Sequence, residues 1–174
     1  WIVEGDIKGC FDNINHEWLI ANIPMDKRIM RQFLKAGFMY QGILFPTQIG
    51  SPQGGAISSI YANMTLDGLE KLIQDKYHRN SKGNIENHYR AKTKVNLVRY
   101  ADDFIITANS KEIAEELKLL VSHFLQSRGL QLSEEKTAIT HIDDGFDFLG
   151  WTFRKYNGKL IVKPSKDSVK RVVR

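Results

Sequence analysis

The sequence contains a single cysteine and lacks any long apolar run. Among its 174 residues only Cys10 is a cysteine, which excludes an intramolecular disulfide and a zinc site built from cysteines. The densest apolar runs, such as Phe104-Ile105-Ile106, are far shorter than the roughly 20 residues that span a bilayer. Hydrophobic residues make up 42% and charged residues 26%, so disordered and collagen-like classes are also excluded. These absences favour a globular chain from a reducing compartment, with no membrane partner.

The charge balance and the two chain ends carry further information. The 25 Lys and Arg outnumber the 20 Asp and Glu, which gives a formal net charge of +5 and a pI near 9.3. A basic balance of this kind favours a polyanionic partner. The first residue is Trp1 rather than Met, and residues 165–174 have the pattern of a helix that is only beginning. Both ends are therefore expected to lie within a longer polypeptide.

Hydrophobic periodicity predicts a mixed α+β chain, with antiparallel strands and helices packed on one face. Short apolar runs predict strands over 1–6, 95–98, 104–107, 137–142, 146–153 and 160–163, and a small hairpin around Pro46 within 42–50. Helical spacing and capping residues predict helices over 16–21, after Asp26, from about 56 to 77, and over 111–128. The basic segment 78–94 is predicted to be a loop, either merely solvated or in contact with phosphates. His78, His88 and His141 are predicted to be surface or RNA-contacting residues.

Three aspartates stand at the ends of apolar strands. Asp102 and Asp103 form the tip of a hairpin without Gly or Pro, whereas Asp143-Asp144-Gly145 has the composition of an ordinary turn. Two carboxylates crowded beside a hydrophobic sheet raise each other's pKa, and a divalent cation such as Mg²⁺ would relieve this. If the strand that ends at Asp6 lies beside the hairpin, all three carboxylates converge. Spacing alone leaves open a two-metal phosphoryl-transfer site or acids that serve only in turns and caps.

Motifs along the chain resemble those of one enzyme family, in the same order. Tyr100-Ala101-Asp102-Asp103 resembles the Tyr-x-Asp-Asp motif of reverse transcriptases. Residues 5–16 resemble the first catalytic motif of the same family, in the form found in its group II intron-encoded members. Ser51-Pro52-Gln53-Gly54-Gly55 resembles the next motif. Ser133-Glu134-Glu135-Lys136-Thr137 and Phe148-Leu149-Gly150-Trp151 resemble the two later ones. The resemblance implies a polymerase palm whose antiparallel sheet carries the catalytic acids.

The resemblance implies roles for the acids and for the segment that follows the first of them. Asp6, Asp102 and Asp103 would be catalytic and, with the Ile7 carbonyl, would bind two Mg²⁺ ions, for which Mn²⁺ could substitute. The backbone amides near Gly9 and Cys10 would face the incoming triphosphate.

Further substrate contacts are implied, each beside a simpler structural alternative. Phe11 would pack beneath the sugar and exclude a 2′-hydroxyl, although it could also be an ordinary core residue. Gln53 would contact nucleotide and template, or only cap a helix. Lys136 would steady the departing pyrophosphate, or only pair with a neighbouring acid. Leu149 and Gly150 would grip the primer, or only belong to an edge strand. Asn63 is also a family position, or it could only hydrogen-bond within its helix.

The implied protein is an RNA-directed DNA polymerase of a group II intron-encoded protein that aids intron splicing and mobility. Its partners would be an RNA template, a DNA primer, deoxynucleoside triphosphates and the intron RNA, with an undetermined oligomeric state. Residues 1–164 would be the palm and 165–174 the start of a connection to a thumb, while fingers would precede residue 1. The isolated fragment is then expected to polymerise poorly. The implied location is the bacterial cytoplasm, with an organelle as the alternative.

Two alternative functions remain open at the level of sequence. The chain could belong to an intron-RNA-binding maturase module in which polymerisation is secondary. It could also belong to a CRISPR-associated or retron-type reverse transcriptase. Other palm enzymes are disfavoured, because RNA-copying RNA polymerases and nucleotidyl cyclases have different residues at the hairpin and lack the aromatic at Phe11.

Overall fold

The computed structural model of the protein describes residues 1–51, 57–86 and 91–172. Its strands are β1 (Ile2–Gly5), β2 (Phe38–Tyr40), β3 (Ile43–Phe45), β4 (Asn96–Tyr100), β5 (Asp103–Thr107), β6 (Ala138–Thr140), β7 (Phe146–Phe148), β8 (Trp151–Tyr156) and β9 (Lys159–Pro164). Its helices are α1 (Cys10–Asn13), α2 (His16–Asn22), α3 (Lys27–Lys35), α4 (Ser58–Leu66), α5 (Leu69–Tyr77), α6 (Lys111–Gln126) and α7 (Lys166–Val172). The mixed α+β class predicted from periodicity is confirmed.

The largest sheet has four antiparallel strands in the order β4-β5-β1-β6. Strand β1 is central, because it pairs with β5 on one side and with β6 on the other. Side chains alternate between the two faces of a strand, so Val3, Phe104 and Ile106 all enter the hydrophobic core. Helices α2 to α6 supply the other side of this core, through Leu19, Leu34, Tyr61, Leu69 and Leu117 among others. The helices therefore cover one face of the sheet, as predicted.

The opposite face of this sheet is open. On β4, Val98 and Tyr100 are 49% and 66% exposed. The β4–β5 register places Ile105 opposite Val98, and the β5–β1 register places Glu4 opposite Ile105, all on this face. An open face next to the acidic strand ends leaves room for a ligand.

Residues 146–164 form a separate antiparallel sheet in the order β7-β8-β9. The single strand predicted over 146–153 is wrong, because the chain turns at Leu149 and Gly150 so that Phe148 pairs with Trp151. Leu149 has φ +49, a conformation that is uncommon for a leucine, and Gly150 alone, an isolated glycine within a strand pattern, did not predict a turn. The second turn, at Asn157 and Gly158, carries the Asn-Gly signal, and there the prediction is confirmed.

Two other predicted elements have different boundaries in the structure. The long helix expected up to Tyr77 is two helices, because Gly68 adopts φ +91 and breaks the helix between α4 and α5. A left-handed conformation is available to glycine without steric cost. The hairpin expected around Pro46 lies earlier, since β2 and β3 are joined through Gln41 and Gly42.

Capping residues were predicted correctly. The Asp26 carboxylate accepts hydrogen bonds from the backbone N–H groups of Arg28 and Ile29, both at 2.9 Å, at the start of α3. His78, in contrast, is not a surface residue: it is buried, and its Nε2 lies 2.6 Å from the carbonyl oxygen of Val95.

Among the helices that the structure describes, none has both the length and the apolar character needed to cross a bilayer.

Candidate active site

The three predicted acids lie at one edge of the central sheet. Gly5 is paired with Phe104 across β1 and β5, so the next residues, Asp6 and Asp103, continue the same register. Asp102 lies in the turn between β4 and β5, which is closed by the pairing of Tyr100 with Asp103. The convergence expected from the sequence is thus present, because β1 is the direct neighbour of the hairpin.

Asp6 and Asp102 also line one cavity of about 610 Å³. Its other walls are the residues that follow Asp6, namely Ile7 to Phe11, and the segment 131–136. Two backbone contacts hold these walls together: the N–H of Lys8 donates to the carbonyl of Gln131 at 2.9 Å, and that of Ser133 donates to the carbonyl of Asp6 at 2.8 Å. The segment that carries Lys136 is therefore fixed beside the first acid.

Negative charge at this edge is only partly compensated. Partial burial, followed by the nearby Asp102 and Asp6 carboxylates, raises the pKa of Asp103, and Lys136 opposes this shift. The Lys136 ammonium lies 3.4 Å from Oδ2 of Asp6, but its side chain is 69% exposed, so solvent weakens the pair. Within the described ranges, no three His, Cys, Asp or Glu side chains already form a group that could hold a metal ion. The carboxylates share an edge without enclosing a ready-made coordination site.

The turn after Asp6 brings the predicted triphosphate segment to the cavity. Gly9 and Phe11 line the cavity with Cys10, and Phe11 is half-buried. The Gly9 carbonyl accepts hydrogen bonds from the N–H groups of Asp12 and Asn13 at 3.0 and 3.1 Å. These two bonds form the single turn of helix α1. Lys8 lies in the cavity wall as well, and it was missed because the motif that contains it gave no role for an exposed cation.

Phe11 is joined to the segment that leads toward Gln53. The N–H of Ser51 donates to the Phe11 carbonyl at 2.6 Å. A side chain on Gly50 would lie 2.4 Å from that same carbonyl oxygen, so this close approach requires glycine. Gln53 itself lies outside the described residues, and its predicted contact with nucleotide and template stays a prediction.

The predicted primer-grip residues form a separate feature. Leu149 and Gly150 are not among the described residues that line the cavity; they form the turn between β7 and β8. The Gly150 carbonyl accepts hydrogen bonds from the N–H of Ser165 at 2.8 Å and from Oγ of Ser168 at 2.9 Å, which ties the turn to the start of α7. Leu149 is 50% exposed.

The Cys10 thiol is expected to resist alkylation in the folded protein. Its side chain is buried, and burial followed by the nearby Asp102 carboxylate raises the pKa of the thiol to about 12 from an ordinary 9.0. The thiolate is the reactive species, so its fraction at pH 8 falls by about 10³. Iodoacetamide should modify the Cys10 peptide at least about 100-fold more slowly than in the urea-unfolded chain, measured by mass spectrometry. Equal rates in the two states would contradict this burial.

Comparison with known proteins gives a consistent family. Residues 1–153 match the family described as reverse transcriptase (RNA-dependent DNA polymerase). The group II intron-encoded protein LtrA of Lactococcus lactis subsp. cremoris is 35% identical over 95% of this chain and 37% of its own length. Protein YkfC of Escherichia coli is 29% identical over 99% of this chain and 50% of its own length. An uncharacterized 91 kDa protein in a cob intron of Schizosaccharomyces pombe is 32% identical over 86% of this chain and 25% of its own length.

These matches confirm the resemblance seen in the motifs. The chain spans half or less of the length of each of these relatives. Two of the three are named after an intron, which agrees with the group II intron-like form of the motif at residues 5–16.

Proposed function

Since the chain belongs to the reverse transcriptase family, we propose that it forms the palm of an RNA-directed DNA polymerase of the group II intron-encoded type. The observation that carries the proposal is the shared edge at which Asp6, Asp102 and Asp103 meet beside the cavity. On this proposal residues 1–164 are the palm, and the segment from 165 connects it to a thumb. The template is RNA, the primer is DNA, and the nucleotides are deoxynucleoside triphosphates.

The chemistry of the acidic edge fits divalent cations. Its donors are all oxygens, which suits Mg²⁺ or its substitute Mn²⁺. Partial burial first, and then the Asp102 and Asp6 carboxylates, raise the pKa of Asp103, and a cation would neutralise the charge of those carboxylates. Asp6, Asp102 and the Ile7 carbonyl would hold the ions, and Asp103 would complete the acidic cluster. When bound, two such ions would supply activation of the primer hydroxyl and stabilisation of the pyrophosphate.

In this proposal the remaining cavity residues position the nucleotide, and the turn between β7 and β8, outside that cavity lining, contacts the primer. The turn at Gly9 and Cys10 would meet the triphosphate through backbone N–H groups. Lys136 would donate to the departing pyrophosphate, because its exposed ammonium is already drawn to the cavity by Asp6. Leu149 and Gly150 would contact the primer, with the turn anchored through the Gly150 carbonyl.

Replacing Phe11 with Ala should relax discrimination against ribonucleotides. Phe11 lines the cavity, and its ring would occupy the space that a 2′-hydroxyl needs, so truncation removes a clash that acts against the wrong substrate. The ratio of kcat/KM for deoxynucleotide over ribonucleotide should fall by at least about tenfold. Phe33→Ala, which truncates an exposed phenylalanine on α3, is the matched control and should leave the ratio unchanged. An unchanged ratio in Phe11→Ala would show that Phe11 only packs within the protein and does not discriminate between the two kinds of nucleotide.

The function itself is tested by primer extension with the complete translated reading frame that contains this sequence. The assay uses an RNA template, a DNA primer and Mg²⁺, and compares deoxynucleotides with ribonucleotides and RNA with DNA templates. Extension by deoxynucleotides on RNA that stops on chelation of the metal is the expected result. Absence of extension under all of these conditions would contradict the proposal.

The net charge of +5 favours a second role as an intron-RNA-binding maturase module. LtrA, by its name, is a group II intron-encoded protein, and an RNA-binding role would not require the acids. Filter binding to a group II intron RNA distinguishes the two roles: affinity that survives the loss of Asp102 and Asp103, in a protein that never extends a primer, would make RNA binding the main role.

A further inference from the structure

The turn that carries Asp102 has a backbone conformation that needs external support. Ala101, the first residue of this two-residue turn, has φ +55. Few residues other than glycine adopt this left-handed region, because Cβ then crowds the following carbonyl oxygen. A neighbouring group that bonds to the turn would offset this cost.

One guanidinium group supplies such a bond. Nη1 of Arg99 donates to the Ala101 carbonyl at 2.9 Å and to Oδ1 of Asn63 at 3.0 Å. Its Nη2 lies 3.8 Å from the carboxylate of Asp67, and the Arg99 side chain is only 21% exposed. Asn63 belongs to α4 and Asp67 follows its last residue, so the guanidinium connects that helix to the turn. Of the two possibilities for Asn63, bonding only within its helix does not hold, because its Oδ1 accepts this hydrogen bond from β4.

The bond to the Ala101 carbonyl bears directly on Asp102. The carbonyl of Ala101 and the N–H of Asp102 belong to the same rigid peptide plane. Fixing the orientation of that plane fixes the direction in which Asp102 leaves the turn, and Asp102 lines the cavity. Lysine could not do the same, because a single ammonium lacks the planar fork that reaches several acceptors at fixed angles.

We propose that Arg99 is a positioning residue that holds the left-handed turn and so aims the Asp102 carboxylate at the metal ions, with α4 as its anchor. The proposal rests on the proposed function, since it gives Asp102 a metal to bind. Arg99 does not itself touch the substrate. It acts through Ala101, and Asn63 acts through Arg99.

The test uses Arg99→Lys and Asn63→Ala in the complete translated reading frame, with Arg128→Lys as control. Arg128 also donates to backbone carbonyls, those of Thr65 in α4 and of Phe124, both at 2.8 Å, but within the described part of the chain none of its hydrogen bonds reaches the turn at 101–102. In primer extension, Arg99→Lys should lower kcat about 10- to 100-fold and raise the Mg²⁺ concentration for half-maximal rate severalfold, with little change in the nucleotide KM. Asn63→Ala should give a smaller change in the same direction, and Arg128→Lys should change stability without changing the Mg²⁺ requirement.

Binding of Mn²⁺ alone, followed by electron paramagnetic resonance, separates this proposal from the proposed function. Arg99→Lys should bind Mn²⁺ at least about threefold more weakly than the unaltered protein, and Arg128→Lys should bind it equally well. If the unaltered protein binds Mn²⁺ but never extends a primer, the polymerase proposal fails while the Arg99 proposal is still decided by this comparison. Equal Mn²⁺ affinity and an equal Mg²⁺ requirement in Arg99→Lys would overturn the role of Arg99.

A second substitution tests the backbone argument. Glycine adopts φ +55 without the crowding that alanine suffers, so Ala101→Gly should recover about threefold or more of the activity lost in Arg99→Lys. The same substitution should leave activity unchanged in the Arg128→Lys background. An equal gain in both backgrounds, or no gain in the Arg99→Lys background, would show that Arg99 does not act through the turn.

Discussion

Replacing Asp102 with Asn is expected to lower the rate of primer extension by at least about 10³-fold, since metal binding contributes several kcal/mol to a phosphoryl-transfer transition state. The free energy of unfolding of the Asp102→Asn variant should not fall along with its activity. Asp102 raises the pKa of Asp103 through charge repulsion, so removing the Asp102 charge relieves a cost that is present while both groups are ionised. Single-turnover extension and thermal unfolding followed by circular dichroism measure the two effects on the same preparation.

Asp144→Asn is the matched control for this experiment. Asp144 is an exposed acid in the turn that separates β6 from β7 and is not among the described residues that line the cavity, so its replacement removes the same charge outside that lining. It should leave extension unchanged. A loss in Asp102→Asn that is no larger than the loss in Asp144→Asn would remove Asp102 from the catalytic cluster.

Replacing Gly5 with Ala should have the largest effect on stability. A methyl group at Gly5 would lie 2.0 Å from Cζ of the Phe104 ring, and that ring is almost completely buried in the core. Neither the ring nor the paired strands β1 and β5 can move aside without disturbing their neighbours. We expect the free energy of unfolding to fall by about 3 kcal/mol, as in other overpacked cores. Urea unfolding followed by circular dichroism measures it.

The double variant Gly5→Ala with Phe104→Leu is the control for this clash. The smaller side chain leaves room for the methyl group, so the two substitutions together should cost less than the sum of their separate effects. Strict additivity would show that the ring is not what excludes a side chain at Gly5. The contact also lies one residue from Asp6 and one from Asp103, so it sets the register in which the two acids meet.

Local signals were sufficient to predict much of the fold and the acidic tip of the β4–β5 hairpin. The hairpin of β4 and β5 could be predicted because two apolar runs flank a short polar interval. Once Tyr100 is paired with Asp103, the pairing of all other residues of the two strands follows. The start of α3 could be predicted because Asp26 is a capping residue ahead of a helical pattern. The position of Asp6 beside the hairpin followed only when the strand order was known, since no spacing in the sequence specifies which strands are neighbours.

Features that depend on distant contacts could not be predicted. Arg99 and Asn63 are 36 residues apart, and neither residue type indicates that they bond to each other. The break at Gly68 was missed because an isolated glycine costs a helix only about 1 kcal/mol, and packing decides whether the helix continues. The exposed side chains of Ile29 and Phe33 on α3 show the same limit, because an apolar residue at helical spacing gives no sign of which face is covered.

The central position of β1 has a consequence for how the protein folds. The amino group of Trp1 bonds to a carbonyl 107 residues away, and Glu4 accepts a hydrogen bond from a hydroxyl 136 residues away. Strand β1 therefore leaves the ribosome before both of its sheet neighbours, β5 and β6, and such long loop closures slow folding. During synthesis β1 stays without its sheet partners until β5 and then β6 have emerged. The acidic edge accordingly cannot assemble until β5 has emerged, although Asp6 is synthesised about a hundred residues earlier.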